Sequence, residues 1–158
     1  MIIEKNFSNW WEKNKSLYKA ILFDVDGTII SGRHALPGAI ELLQELRNSQ
    51  FPFCMLTNDG NHSPEEKSEI MQHRGLDVYP EDLVSCGHAL TPLASRRNYK
   101  GKKFYVMGEL GIPDFAKKAG IITIRDPKKI KNCMGVIVGE GIYNWQENIN
   151  AVFLCGYF

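Results

Sequence analysis

Two carboxylates, Asp24 and Asp26, end the short apolar run Ile21-Leu22-Phe23 and are followed by Gly27 and Thr28. An apolar run without polar alternation reads as a strand buried on both faces. The carboxyl end of such a strand is where open α/β sheets place their ligands. Two aspartates spaced i and i+2 there, beside a glycine that lets the chain turn sharply, can hold a divalent cation and offer one oxygen as a nucleophile. The plainer alternative is an acidic turn, since Asp-Gly is a common turn dipeptide. That accounts for Asp26-Gly27, but not for a second Asp at the strand end or for the Thr that follows. A second apolar run, Phe51 to Leu56, ends in Thr57-Asn58-Asp59-Gly60. A Thr hydroxyl and free backbone N–H groups at a strand-to-helix turn suit an oxyanion. Alone, Thr57-Asn58 is an ordinary turn; one βα unit after Asp24 it becomes a candidate oxyanion contact. Asp59 stands out, because a carboxylate there repels an anion unless it points away.

The elements that must position these residues alternate strand and helix, which argues for an α/β fold with a parallel sheet and helices on both faces. Ile29 to Arg33 reads as a small hairpin. Pro37-Gly38 opens a helix whose Ile40, Leu42, Leu43 and Leu46 form an apolar stripe. Ser63-Pro64-Glu65-Glu66 is a helix start, with Ser as N-cap, Pro first and Glu third, and the helix runs to about Arg74 before Gly75. Strands follow at Leu83–Ser85, Lys103–Gly108, Ile121–Ile124 and Met134–Gly139. Helices are expected near His88 to Arg96, from Pro113 to Ala119 and from Asn144 to Leu154. Ahead of the first strand, Ser8 or Asn9 can cap a short helix carrying Trp10 and Trp11. Packing of those rings across the domain is favoured over an interfacial anchor.

Composition excludes several classes. At 158 residues the chain can bury a real core. With 44% hydrophobic and 23% charged residues it is typical of a globular protein, and a formal net charge of +1 gives no reason to expect nucleic acid or an anionic membrane as partner. Cys54, Cys86, Cys133 and Cys155 form no C-x-x-C pair and lie at no zinc spacing, which reads as reduced thiols in a cytoplasmic protein. No stretch has the apolar length of a membrane span, and residues 1–19 have no apolar core of a secretory signal. His34, His62, His73 and His88 show no ligand spacing.

Asp24-Val25-Asp26-Gly27-Thr28 after a hydrophobic strand resembles the first motif of the haloacid dehalogenase (HAD) superfamily of phosphohydrolases. The resemblance implies that Asp24 is the nucleophile, forming an aspartyl-phosphate, and that Asp26 is the general acid/base. It also implies Mg2+ held by the Asp24 side chain and the Asp26 backbone carbonyl. Thr57 then matches the second motif, a hydroxyl donating to a phosphate oxygen, with Asn58 supplying backbone geometry beside it. The hairpin after Thr28 corresponds to the family's flap. Tyr105-Val106-Met107-Gly108-Glu109, and Gly135-Val136-Ile137-Val138-Gly139-Glu140 with Tyr143, are similar to class IIA members, which carry a large α/β cap between the second and third motifs. The similarity covers roughly residues 18 to 154. The expected organisation is a helical N-terminal extension (1–19), the first part of a HAD-type Rossmann-like core (20–135), and the start of a cap (136–158).

The family's third motif, a Lys, and its fourth, an acidic pair, have no counterpart, so the sheet is expected to be incomplete at its C-terminus and the Asp24 strand to have an unpaired edge. Lys117, Lys118, Lys128 and Lys129 are read as surface charge. The absence of a preorganised cation costs on the order of 3 kcal/mol in a transition state, roughly a hundredfold in rate. The resemblance therefore implies a magnesium-dependent phosphatase acting on a small phosphorylated metabolite, with a second copy or another chain completing it. The alternative is a non-catalytic, HAD-derived binding or regulatory module.

Overall fold

The computed structural model describes residues 7–141 and 144–154. The chain packs as two compact units. One is formed by residues up to Thr57 together with Ser68–Val84, the other by Asn58–Lys67 and the residues from Ser85 onward. The boundary expected at 135/136 falls inside a strand of the second unit and does not coincide with this division.

The first unit begins with α1 (Phe7–Asn14), which starts ahead of the Ser8 and Asn9 expected as its caps. Strand β1 (Ile21–Asp24) leads into the two-residue antiparallel hairpin of β2 (Ile30–Ser31) and β3 (His34–Ala35). Then come α2 (Ala39–Asn48) and β4 (Phe53–Thr57), which pairs with β1 in parallel. Helix α3 (Pro64–Gln72) follows, its residues up to Lys67 counted with the second unit and those from Ser68 with the first, and Gly75 ends the segment with φ +83°. Strand β5 (Leu83–Ser85) completes a three-stranded sheet in the order β1-β4-β5. Its core gathers Phe23, Val25, Leu43, Leu46 and Met55. The apolar stripe of α2 is thus recovered, with Leu43 and Leu46 at its centre.

One expectation fails here. Strand β1 is not buried on both faces: Leu22 is 65% exposed, and Leu56 and Val84 are exposed too. Phe23 and Met55 point into the core while Leu22 and Leu56 point out, so the sheet is covered on one side. Strand β1 also lies at the sheet edge, as expected.

The second unit has its own parallel sheet, in which β6 (Lys103–Met107) lies between β7 (Ile122–Ile124) and β8 (Gly135–Val138). The parallel strands therefore sort into two three-stranded sheets rather than one. Helices α4 (Leu90–Arg96) and α5 (Phe115–Lys118) supply Ala94, Phe115 and Ala116 to one core, with Phe104, Val106 and Ile121. Helix α6 (Trp145–Leu154) supplies Val152 to another, with Tyr105, Met107 and Ile130. Asn144 caps α6, its side-chain oxygen accepting from the Glu147 N–H at 3.2 Å. Tyr143 and Cys155, singled out in the sequence, lie outside the described residues. Among the described residues Cys54, Cys86 and Cys133 form no disulfide, and no described helix is long and apolar enough to cross a membrane.

Two contacts fix the first unit. Trp11, 2% exposed, meets the edge of Phe51 at 4.8 Å, so the tryptophan pair packs inward as expected. Arg47 at the end of α2 donates to both carboxylate oxygens of Asp82 (3.2 and 2.5 Å) and to the Asp77 carbonyl (2.9 Å). Its guanidinium also lies over the rings of Phe53 and Tyr79. Trp11→Ala is expected to cost about 3–5 kcal/mol by opening a cavity. Arg47→Met is expected to cost about 2–3 kcal/mol by stranding the buried Asp82 carboxylate. Urea denaturation of both variants measures these losses.

Candidate active site

The first two aspartates are displayed by a tight turn wound around one carbonyl. The Val25 carbonyl accepts from the N–H groups of Thr28 (3.3 Å), Ile29 (2.9 Å) and Ile30 (3.1 Å). Gly27 takes φ +88°, which only glycine adopts without strain, and its N–H donates to the Ile30 carbonyl at 2.7 Å. Val25 is buried while Asp24, Asp26 and Thr28 are exposed on either side of it. The turn thus folds its apolar member inward and leaves both carboxylates outward. The Thr28 hydroxyl donates to Asp24 Oδ2 over 3.4 Å.

The β1–β4 register sets the next member. Asp24 pairs with Leu56, which puts Thr57 one residue further along the neighbouring strand. Parallel strand spacing and rise then separate the Asp24 and Thr57 α-carbons by about 6 Å. Thr57 is buried. Asp24, Asp26 and Thr57 therefore gather at the carboxyl ends of two adjacent parallel strands. Asn58 follows directly, and its carbonyl accepts from the Cys86 thiol at 3.4 Å.

Asp59 resolves the repulsion expected of it. Its carboxylate accepts from the backbone N–H groups of Asn61 (2.9 Å) and His62 (3.2 Å), from the Lys67 ammonium (2.8 Å), and contacts His62 Nδ1 at 2.9 Å. Burial alone would raise its pKa, but the hydrogen bonds from Lys67 and His62 outweigh burial and lower it from 3.8 to about 2. The charge is held by the loop rather than turned toward an anion. Lys67, 6% exposed, is the residue that the sequence reading missed. The signal was available: Ser63, Lys67 and Met71 recur every fourth residue on the buried face of α3. The α3 start is as expected, with the Ser63 N–H donating to Glu66 Oε2 (2.8 Å) and the Glu66 N–H to Ser63 Oγ (3.2 Å).

The donor chemistry at the Asp24 turn, two aspartates with hard oxygens, fits Mg2+, which is commonly bound through one or two carboxylates with water and phosphate oxygens completing the shell. Among the described residues no group of three or more His, Cys, Asp and Glu side chains converges as a ready-made metal cage. Of the lysines read as surface charge, Lys118 pairs with Glu65 at 2.8 Å and Lys129 lies 3.8 Å from Asp126.

Comparison with known proteins gives a consistent result. The sequence model of the haloacid dehalogenase-like hydrolase family matches residues 21–122. An acid sugar phosphatase from Staphylococcus haemolyticus is 28% identical over 113 residues, covering 72% of this chain and 42% of that protein. NagD from E. coli superposes with a TM-score of 0.68 at 28% identity, covering 86% of this chain and 52% of that one. A glycerol phosphate phosphatase from Mycobacterium tuberculosis, crystallised with magnesium, shares the fold with a TM-score of 0.74 at 19% identity, over 90% of this chain and 43% of that one. The chain thus spans about half the length or less of the relatives it matches.

The Asp59 cluster makes stability depend on acid. Because the folded pKa is lowered, the stabilisation is complete above the ordinary value of 3.8 and is lost as pH falls toward 2. Its size is about 1–2 kcal/mol once solvent screening is allowed for. Urea denaturation at pH 6 and pH 2.5 is expected to show that difference in the native chain and little of it in Asp59→Asn. Lys67→Met, which leaves a buried carboxylate without its cation, is expected to cost about 3 kcal/mol at pH 7.

Proposed function

Because the chain belongs to the haloacid dehalogenase-like hydrolase family, class IIA, we propose that it carries the nucleophilic half of a magnesium-dependent phosphatase acting on a small phosphorylated metabolite. The observation that carries this reading is the β1–β4 register, which brings Asp24 and Thr57 together at the carboxyl ends of adjacent strands. Exposure of Asp24 and burial of Thr57 suit their roles, one meeting an incoming ester and the other fixed to receive a phosphate oxygen.

In this reading an Asp24 carboxylate oxygen attacks phosphorus in line with the ester oxygen. The P–O ester bond breaks, and Asp26 gives its proton to the departing alkoxide. An aspartyl-phosphate remains on Asp24. Asp26, now a carboxylate, takes a proton from water, which attacks phosphorus and releases inorganic phosphate and free Asp24. The Thr57 hydroxyl and the Asn58 N–H hold phosphate oxygens through both steps. The Asp24 carboxylate and the Asp26 carbonyl are the oxygens that would hold Mg2+, whose charge offsets the repulsion between Asp24 and the phosphate. A cytoplasmic location is consistent with cysteines that form no disulfide among the described residues.

A second reading, a HAD-derived binding module without turnover, is favoured by the edge position of β1 and by the lack of a three-ligand cage among the described residues. Magnesium-dependent hydrolysis of an aryl phosphate by the 158-residue chain separates the two. The phosphatase reading expects activity that falls at least about a hundredfold in Asp24→Asn. Equal inactivity of both proteins, at equal folded concentration, assigns this chain to the binding module. Where turnover is present, Asp26→Ala is expected to slow alkyl phosphates about tenfold more than aryl phosphates, because an alkoxide needs the proton more than a phenolate does. Equal losses for both ester classes would refute Asp26 as the acid.

A further inference from the structure

The second unit contains a cavity of about 330 Å³, within the range of small-molecule sites, and every residue lining it belongs to that unit. Its floor is apolar. Leu90 and Leu93 stand one turn apart on α4, Phe115 begins α5, Ile137 comes from β8, and Leu110 closes the set. The Phe115 ring packs directly on Gly87, where any Cβ would lie 2.5 Å from it. The mouth is formed by Gly60, Cys86 and Glu140: a Cβ built on Gly60 would lie 3.4 Å from Cys86 Sγ and 4.0 Å from Glu140 Cδ.

The backbone fixes Glu140 in that place. Its carbonyl accepts from the Glu109 N–H at 2.7 Å, and the preceding Gly139 N–H donates to the Met107 carbonyl at 2.7 Å. Gly139 packs so closely that a Cβ there would collide with the Glu109 carbonyl. The Glu140 side chain is exposed, and it is the one charged group among the described residues lining the cavity. No cation among the described residues answers it: Arg125 donates to the Gly108 carbonyl at 2.6 Å and lies 3.7 Å from Glu109 instead.

Two physical features select an occupant. A floor of five hydrocarbon side chains rewards an apolar body and offers no partner to hydroxyl groups. The Glu140 carboxylate at the mouth attracts a cation and repels an anion. Burial, and then the Glu140 charge, push the Cys86 thiol up, so the sulfur at the mouth stays a neutral donor to the Asn58 carbonyl at 3.4 Å and adds no second anion. Asp59 acts on the same thiol more weakly, its own charge being met by Lys67 at 2.8 Å.

We infer that this cavity binds a small amphiphilic amine, its aryl or branched alkyl body on the apolar floor and its ammonium facing Glu140 at the mouth. The inference concerns the second unit alone and does not draw on the phosphatase reading.

The test is amide NMR on the full chain at neutral pH and low salt, titrated separately with 2-phenylethylamine, 2-phenylethanol and phenylacetate. The three share an apolar ring and differ in charge. Saturable shifts are expected at Gly60, Gly87 and Gly139, with the amine about fivefold tighter than the alcohol and phenylacetate weakest. Glu140→Gln alters an exposed side chain and keeps the backbone bonds, so it is expected to bring the amine down to the affinity of the alcohol. Salt at about 1 M, which shortens electrostatic reach to about 3 Å, is expected to erase the same preference in the native chain. Ala89→Trp places a large ring at an exposed position lining the cavity, and is expected to weaken amine and alcohol alike by about tenfold or more. No saturable shifts from the amine, or amine binding indifferent to Ala89→Trp, would overturn the cavity as a binding site. Equal affinity for amine and alcohol in the native chain, or a preference for the amine that survives Glu140→Gln, would overturn its selection of a cation.

Discussion

The parallel register between Ile21–Asp24 and Phe53–Thr57 is the constraint on which the site depends. Side chains alternate along a strand, so this register simultaneously buries Phe23 and Met55 and leaves Asp24 outward beside the end of β4. A slip of one residue would put Leu22 into the core, expose Phe23, and turn Asp24 inward. The core therefore enforces the placement of Asp24 relative to Thr57. Val25 continues the same logic past the strand: its side chain is buried, and its carbonyl ties down three successive N–H groups. The acidic turn is rigid because its centre belongs to the core, not because its carboxylates hold one another.

The sequence discloses this much of the fold because its signals are local. Ser63-Pro64-Glu65-Glu66 specifies its own capping hydrogen bonds, and the Ile40–Leu46 stripe specifies which side of α2 is buried. What it does not disclose is set between segments. The run Ile21-Leu22-Phe23 looks the same whether one or both faces of its sheet are covered, and only the assembled sheet shows Leu22 exposed. Likewise, alternation of strands and helices does not say how many sheets result; β6, β7 and β8 pair with one another rather than with β4 or β5. Arg47 and Asp82 lie thirty-five residues apart, and nothing local links a helix-end arginine to that one carboxylate. The gathering of Asp24, Asp26 and Thr57 was legible, because the strand-end position of each is written in its own flanking residues.

Asp59 shows how an acidic residue can be placed two positions after the strand-end Thr57. A carboxylate has about four acceptor directions, and here two backbone N–H groups, an ammonium and an imidazole nitrogen occupy them. The same bonds that neutralise it also fix the path of the chain from Asn58 to Ser63. An asparagine could accept the two backbone bonds through its single oxygen, but it would remove the charge that the buried Lys67 ammonium meets at 2.8 Å. Loss of Lys67 alone would strand the carboxylate instead. The two residues are therefore energetically coupled, and replacing both by a neutral, well-packed pair should cost far less than replacing either one. The loop's geometry thus rests on an ion pair whose members cannot be exchanged one at a time, which ties the path of the chain from Asn58 to Ser63 to the buried face of α3.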